Sequence, residues 1–152
     1  MEKNARFHCD RHVVKMITEH NQLLCSAYYF TGNIPDGIYK LTHENHPCAK
    51  WTRESLSNWL WLRDMNLVLC SEYTFRYGKI HKGELLCKAL KPPEIEDRGL
   101  TAFAQALPDA YKSEDAAAAY RKYYVAEKKH LFFWKKREAP EWIYGEENNN
   151  CE

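Results

Sequence analysis

The chain has 152 residues, of which 45% are hydrophobic and 14% aromatic. This length allows one domain with a substantial core, and the composition excludes a wholly disordered chain. The formal net charge is +1, from 22 basic and 21 acidic residues, so the chain is not uniformly basic. No apolar run approaches the roughly 20 residues that a membrane-spanning helix needs.

The first residues are polar and charged, which is not typical of a secretory signal. We therefore expect no membrane partner and a cytoplasmic location, meaning the host cytoplasm if the chain is phage-encoded. The 6 cysteines show no paired CxxC spacing, so we expect reduced thiols.

All the elements that the sequence predicts are helices. Asp10 is a good N-cap, and apolar residues at helical spacing predict a first helix to about residue 30. Pro47 favours the first turn of a second helix and Gly78 its end, which predicts one long helix over about 47–77. Shorter helices are predicted over about 81–90, 101–107 and 114–132.

These patterns predict an all-α fold, a small single-domain bundle around the long central helix at about 47–77. The middle of that helix, WLWLRDMNLVLC (residues 59–70), is apolar nearly all round, which is typical of a helix contacted from several sides. We expect the domain to span residues 1–144 and to be followed by a disordered acidic tail, 145–152.

Two polar residues lie along one margin of the apolar face of the first predicted helix. His12 and Glu19 are about two turns apart on this margin, and Lys15 lies one turn before Glu19. A partly desolvated carboxylate in such a place suits general acid–base catalysis. The structural alternative is an ordinary surface ion pair between Glu19 and Lys15.

Basic and aromatic residues gather in three further segments. THENHPCAKWTRES (residues 42–55) covers the predicted start of the second helix, and RYGKIHK (residues 76–82) follows its end. YRKYYVAEKKHLFFWKK (residues 120–136) combines cations with rings, and acidic residues follow it. Cations bind phosphates and rings stack on bases, so these segments favour a nucleic-acid partner, although a solvated helix face explains them equally well.

A metal site is a further alternative. His8 and His12 are four residues apart and His43 and His46 three, with Cys9 and Cys48 nearby. Such ligands suit zinc, but the spacing matches no strong zinc signature, and we predict no metal or other cofactor.

CDRHVVKMITEH (residues 9–20) resembles the first-helix motif of the endonuclease V-type pyrimidine-dimer DNA glycosylases, which Asp10, His12 and Glu19 match in order and spacing. A second motif, at the start and end of a long helix, is similar in His46-Pro47, Lys50-Trp51 and Arg76-Tyr77-Gly78. This resemblance covers roughly the first half of the chain. Nearly the full length also resembles a group of uncharacterised phage proteins with CD-x-HVVKM, NHPC, EYT-x-RYGK and FAQA-x-P patterns.

The glycosylase resemblance implies an all-α enzyme in which Glu19 is the catalytic carboxylate and His12 belongs to the site. In that family an N-terminal threonine α-amine attacks the sugar and forms a Schiff base, followed by strand cleavage at the abasic site. Residue 2 is Glu2 here, so the α-amine of Met1 or the side chain of Lys15 is the candidate nucleophile.

The expected partner is duplex DNA with a damaged or modified base, bound by a monomer. The predicted DNA-binding residues are Arg11, His46, Lys50, Trp51, Arg53, Arg76, Lys79, His81, Lys128 and Lys135. Two alternatives remain open at this point. One is a non-catalytic nucleic-acid-binding or phage–host interaction protein on the same fold, and the other is a metal-dependent hydrolase with His and Cys ligands.

Overall fold

The computed structural model describes residues 1–144 and confirms the all-α class. The helices are α1 (Glu2–Phe7), α2 (Asp10–Tyr28), α3 (Pro47–Glu54), α4 (Leu56–Tyr77), α5 (Lys82–Ala89) and α6 (Ala116–Lys128). Short 3-10 helices cover Asp109–Tyr111, Lys129–Leu131 and Glu141–Ile143. Within residues 1–144 there is no strand, and none of the helices has the length and apolar content to cross a membrane. The predicted acidic tail, 145–152, lies outside the described residues.

Helices α2 and α4 pack antiparallel at the centre of the molecule. Trp59 Nε1, near the start of α4, donates to the carbonyl of Leu24 near the end of α2, at 3.2 Å. At the opposite ends, Arg76 Nη1 donates to Asp10 Oδ1 at 2.9 Å. The apolar periodicity that predicted α2 is therefore buried against α4. Its fully buried apolar side chains include Val13, Ile17 and Leu24.

The predicted long helix over 47–77 is wrong, because the chain breaks at Ser55 into α3 and α4. Ser55 has an extended backbone, with φ −148° and ψ 144°, and is fully buried. The carboxylate of Asp97 accepts from Ser55 Oγ at 3.1 Å and from the backbone N–H of Ser57 at 3.2 Å. A loop distant in sequence thus supplies hydrogen bonds to the start of α4, which the pattern over 47–77 does not show.

Helix α5 packs closely on α2 because Gly83 has no side chain. A Cβ at Gly83 would lie 2.7 Å from Asn21 Nδ2, and this same nitrogen donates to the Gly83 carbonyl at 2.7 Å. Asn66 Nδ2 donates to Asn21 Oδ1 at 2.9 Å, and His20 Nδ1 lies 3.3 Å from Asn66 Oδ1. A chain of buried polar groups therefore joins α2, α4 and α5 inside the core.

The C-terminal half returns to the junction of α1 and α2. Residues 101–107, where a helix was predicted, contain no regular element, and α6 begins after Asp115, whose carboxylate accepts from the N–H of Ala117 at 2.8 Å. Beyond α6, the carbonyl of Phe133 accepts from the Asp10 N–H at 2.9 Å. Trp134 Nε1 donates to the Phe7 carbonyl at 3.2 Å. These bonds place the predicted aromatic and basic segment beside the start of α2.

Candidate functional site

The predicted catalytic pair lies on the open edge of α2. Lys15 Nζ is 2.9 Å from Glu19 Oε1, and the two side chains are 64% and 36% exposed. The carboxylate of Glu19 also acts electrostatically on His12, which precedes it in α2, and on Cys48 at the start of α3. The structure thus brings an amine and a carboxylate together where a solute can reach both.

The side chain of His12, in the first turn of α2, contacts α6. Its Nδ1 is 2.6 Å from the hydroxyl of Tyr124, which also accepts the backbone N–H of Cys9 at 3.1 Å. Burial, together with nearby positive charges that include Lys15 and Lys128, lowers the pKa of His12 to about 4. The ring is therefore neutral at physiological pH.

Met1, the other candidate nucleophile, directly precedes α1, which packs along α4. Glu2 and Ala5 of this helix line a groove with Val68 and Phe75 of α4. Among the described residues, the amine that contacts Glu19 is therefore that of Lys15 rather than the α-amine of Met1. Of the two predicted nucleophiles, the geometry therefore favours the side-chain amine of Lys15.

Arg76 cannot contact DNA, and this part of the prediction is wrong. Its side chain is fully buried and donates to Glu72 Oε1 at 2.8 Å and to Asp10 Oδ1 at 2.9 Å. Arg137 adds two bonds to Glu72, at 2.9 Å and 2.8 Å. Burial raises the pKa of Glu72, but the hydrogen bonds from Arg137 and Arg76 outweigh burial and hold that pKa below its usual value. Arg76 therefore joins α2 to α4, and Glu72 joins them to the C-terminal segment through Arg137.

Trp51 is also placed differently from the prediction. Only 7% of it is exposed, and its ring lies 5.9 Å from that of Trp61 and 5.4 Å from that of Phe103. Its Nε1 has no hydrogen-bond partner among residues 1–144. A buried ring cannot stack on a DNA base, so Trp51 is a core residue.

The other predicted residues near α3 are mainly structural. His46 caps this helix, because its Nδ1 accepts from the Cys48 N–H at 3.2 Å. Arg53 stacks on the ring of Phe30 at 4.1 Å and donates to a loop carbonyl at 2.8 Å. Lys50 is exposed on the helix surface and remains a candidate phosphate contact.

Several cations meet at the end of the bundle where α2 begins and α4 stops. We call this group the basic end: Arg11, Lys79, Lys128, Lys135 and Lys136. The backbone N–H of Lys135 donates to Asp10 Oδ1 at 3.0 Å, and its Nζ lies 5.4 Å from the Tyr77 ring centroid. Lys136 Nζ donates to the Phe75 carbonyl at 3.2 Å.

His81, predicted for the same DNA surface, begins α5 instead. Its Nδ1 accepts from the Gly83 N–H at 3.0 Å, and its ring packs edge-on against Tyr73 at 4.8 Å. Burial lowers the pKa of His81, so the ring does not add a positive charge to the basic end at neutral pH. Lys136, which the predicted DNA-binding set omitted, also lies at this end.

The predicted metal ligands do not converge. Within residues 1–144, no group of three or more His, Cys, Asp or Glu side chains is close enough to hold a metal ion. His43 and His46 pack ring against ring at 6.1 Å, and Cys9 is fully buried. Burial also raises the pKa of the Cys48 thiol, which makes it a poor metal ligand and nucleophile.

Comparisons with protein-family models, with curated proteins and with solved structures find no match for this chain. The resemblance of the α2 motif to the glycosylase family therefore stays a prediction. What the structure adds is the environment of each matched residue: Glu19 lies on an open edge, His12 is half-buried against Tyr124, and Asp10 holds Arg76 in the core.

Proposed function

We propose that this chain binds duplex DNA and acts as a DNA glycosylase with an abasic-site lyase step, in which Lys15 is the nucleophile and Glu19 the catalytic carboxylate. The observation that carries the proposal is the 2.9 Å contact between Lys15 Nζ and Glu19 Oε1 on the open edge of α2. Amine and carboxylate in contact are the two groups that Schiff-base chemistry on a sugar needs.

The chemistry begins with a proton transfer. An ammonium group is not a nucleophile, so Lys15 must first give a proton to Glu19, which lies within hydrogen-bond reach. The free amine attacks the anomeric carbon of the extruded nucleotide, and the bond from that carbon to the base breaks. The base leaves with the electron pair and takes the proton from Glu19. Ring opening then gives the Schiff base as the positively charged Nζ passes a proton to the ring oxygen. Glu19, again a carboxylate, takes a proton from the neighbouring sugar carbon, and the electron pair of that C–H bond expels the phosphate and nicks the strand.

The basic end would hold the DNA beside this edge. Asp10 and Glu72, two acidic groups beside it, are paired with Arg76 and Arg137. Lys79, Lys135 and Lys136 are exposed there, and Lys128 acts electrostatically on His12. Positive charge next to the reactive edge attracts the phosphate backbone.

Borohydride trapping tests the lyase step. The purified chain is incubated with a labelled duplex that carries one abasic site, and borohydride reduces any Schiff base to a stable covalent adduct. We expect an adduct with the wild-type chain, no adduct with Lys15→Ala, and a rate lower by about 10²–10⁴ with Glu19→Gln. Lys88→Ala is the matched control, since Lys88 also pairs with a glutamate one turn away, Glu84, on α5.

The outcomes separate the possible nucleophiles. An adduct that survives in Lys15→Ala at the wild-type rate would rule out Lys15 and leave the α-amine of Met1. No adduct with the wild-type chain over the whole pH range of its stability would remove the lyase proposal.

Non-catalytic binding to nucleic acid is the second candidate, and the basic end is the observation that favours it. On duplex DNA, the logarithm of the binding constant falls linearly with the logarithm of the salt concentration, with a slope of about −0.9 for each phosphate neutralised. Lys135→Ala should reduce the size of this slope by about one, whereas Lys88→Ala should not change it. A salt-sensitive mobility shift without an adduct would support this candidate alone.

A further inference from the structure

The hydroxyl of Tyr124, on α6, contacts the start of α2 at two points. It accepts the backbone N–H of Cys9, just before α2, at 3.1 Å. It also lies 2.6 Å from His12 Nδ1, two residues inside α2. Since the backbone N–H can only donate, the phenol oxygen is an acceptor in the first contact.

The length of the second contact indicates which group donates. Hydrogen bonds from an N–H group to oxygen cluster at about 2.9–3.0 Å, whereas those from an O–H group extend down to about 2.5 Å. At 2.6 Å, the contact fits the Tyr124 O–H as donor and His12 Nδ1 as acceptor. A neutral imidazole that accepts at Nδ1 carries its proton on Nε2.

We propose that Tyr124 is a positioning residue, which holds His12 as the neutral tautomer with its proton on Nε2. The role of this tautomer rests on the proposed function: His12 supplies a hydrogen-bond donor, not a general base, to the DNA sugar or phosphate at the Lys15–Glu19 edge. Nδ1 is occupied by the phenol, so the half-buried ring can offer a substrate only its Nε2–H.

The surroundings of both rings support a fixed arrangement. The Tyr124 ring stacks on Phe132 with centroids 5.4 Å apart and meets Trp142 edge-on at 6.1 Å, so the segment after α6 holds the hydroxyl in place. The charged and titratable groups that act on His12 are His8, Lys15 and Glu19 near α2 and Lys128 on α6. Three of these groups lower the pKa of His12 and Glu19 raises it, while burial lowers it most. The neutral ring is therefore the form present at physiological pH.

Imidazole nitrogen NMR on the full, isotope-labelled chain tests the assignment directly. In the neutral state, the protonated and unprotonated ring nitrogens have widely separated chemical shifts. We expect His12 of the wild-type chain to be almost entirely Nε2-protonated. Tyr124→Phe keeps the ring packing and removes only the hydroxyl, and we expect it to shift His12 towards a mixture of the two tautomers.

Tyr123→Phe is the matched control, because Tyr123 neighbours Tyr124 on α6 and packs on Tyr111 rather than on His12. It should leave the His12 signals unchanged. A wild-type His12 protonated on Nδ1 would overturn the inference, and so would an Nε2-protonated His12 that is unaffected by Tyr124→Phe. Neither result depends on whether the chain cleaves DNA.

Activity supplies the second measurement. If the proposed function holds, Tyr124→Phe should slow adduct formation on abasic DNA about tenfold, the effect of losing one well-placed hydrogen bond, without changing the DNA mobility shift. An unchanged trapping rate would overturn the positioning role in catalysis. If the wild-type chain forms no adduct but shows the Nε2 tautomer, the proposed function fails, whereas the assignment of His12 as a neutral donor held by Tyr124 stands.

Discussion

The two faces of helix α2 carry similar kinds of polar residue but use them differently. The face towards α4 is closed: Asp10 binds the buried Arg76, and His20 and Asn21 join a buried chain of polar groups. The face towards α6 and solvent is open, with Lys15 paired to a Glu19 that keeps 36% of its side chain exposed. Burial, not residue type, therefore decides which charges hold the fold and which remain available for chemistry.

This difference explains why Asp10 has a structural role, whereas Glu19, matched to the same motif, remains accessible. A charge that is buried with its partners costs several kcal/mol to leave unpaired, so it is fixed in a structural role. An exposed pair contributes little to stability and can be rearranged by a ligand. The comparison can be tested by removing groups from each face in turn.

Removal of Arg76 should have the largest effect. Arg76→Met keeps the length of the side chain but leaves the buried carboxylate of Glu72 and that of Asp10 without this partner. We expect the free energy of unfolding to fall by about 3–5 kcal/mol, measured by denaturant titration. Arg98→Met is the control, since Arg98 pairs with Glu96 at the surface, and should leave the transition midpoint unchanged. A loss as small as the control's would contradict the structural role of Arg76.

Acid should destabilise the closed face through His20. Burial lowers the pKa of His20 to about 3 from the usual 6.5, so below pH 6.5 the unfolded chain binds a proton that the folded chain does not. Stability therefore falls as the pH falls below 6.5, by about 2 kcal/mol from His20 between pH 7 and pH 5. His12, whose pKa is also lowered, to about 4, contributes with the same sign.

His20→Gln should remove the His20 part of this dependence. Denaturant titrations at several pH values would show it as a shallower slope of unfolding free energy against pH. An identical slope in the variant and the wild-type chain would mean that His20 is not held neutral by the core.

The open face should show the smallest effect on stability. Lys15→Ala and Glu19→Gln each break one partly exposed pair on a helix surface. We expect each to change the free energy of unfolding by less than about 0.5 kcal/mol, although both should suppress adduct formation. If either variant unfolds as readily as Arg76→Met, its loss of adduct would reflect misfolding and the contrast between the two faces would be wrong.

Local sequence patterns were sufficient for much of the helical framework. The apolar spacing after Asp10 predicted α2, and Gly78 ends α4 with the left-handed φ of 68° that favours glycine. The segment over 81–90 was predicted as a helix and is α5, Lys82–Ala89. These features depend on the spacing of apolar residues and on backbone geometry, both of which involve residues close together in the sequence.

Contacts between distant residues decided the rest. The break at Ser55 depends on Asp97, the neutral state of His12 depends on burial beside Tyr124, and the roles of Arg76 and Trp51 depend on burial. No spacing rule connects residues so far apart, because only packing determines which of them meet. The sequence by itself therefore determined the all-α class and the edge that carries His12, Lys15 and Glu19. The tertiary structure decided which of the chain's charges are buried, since desolvation depends on every element packed around a group.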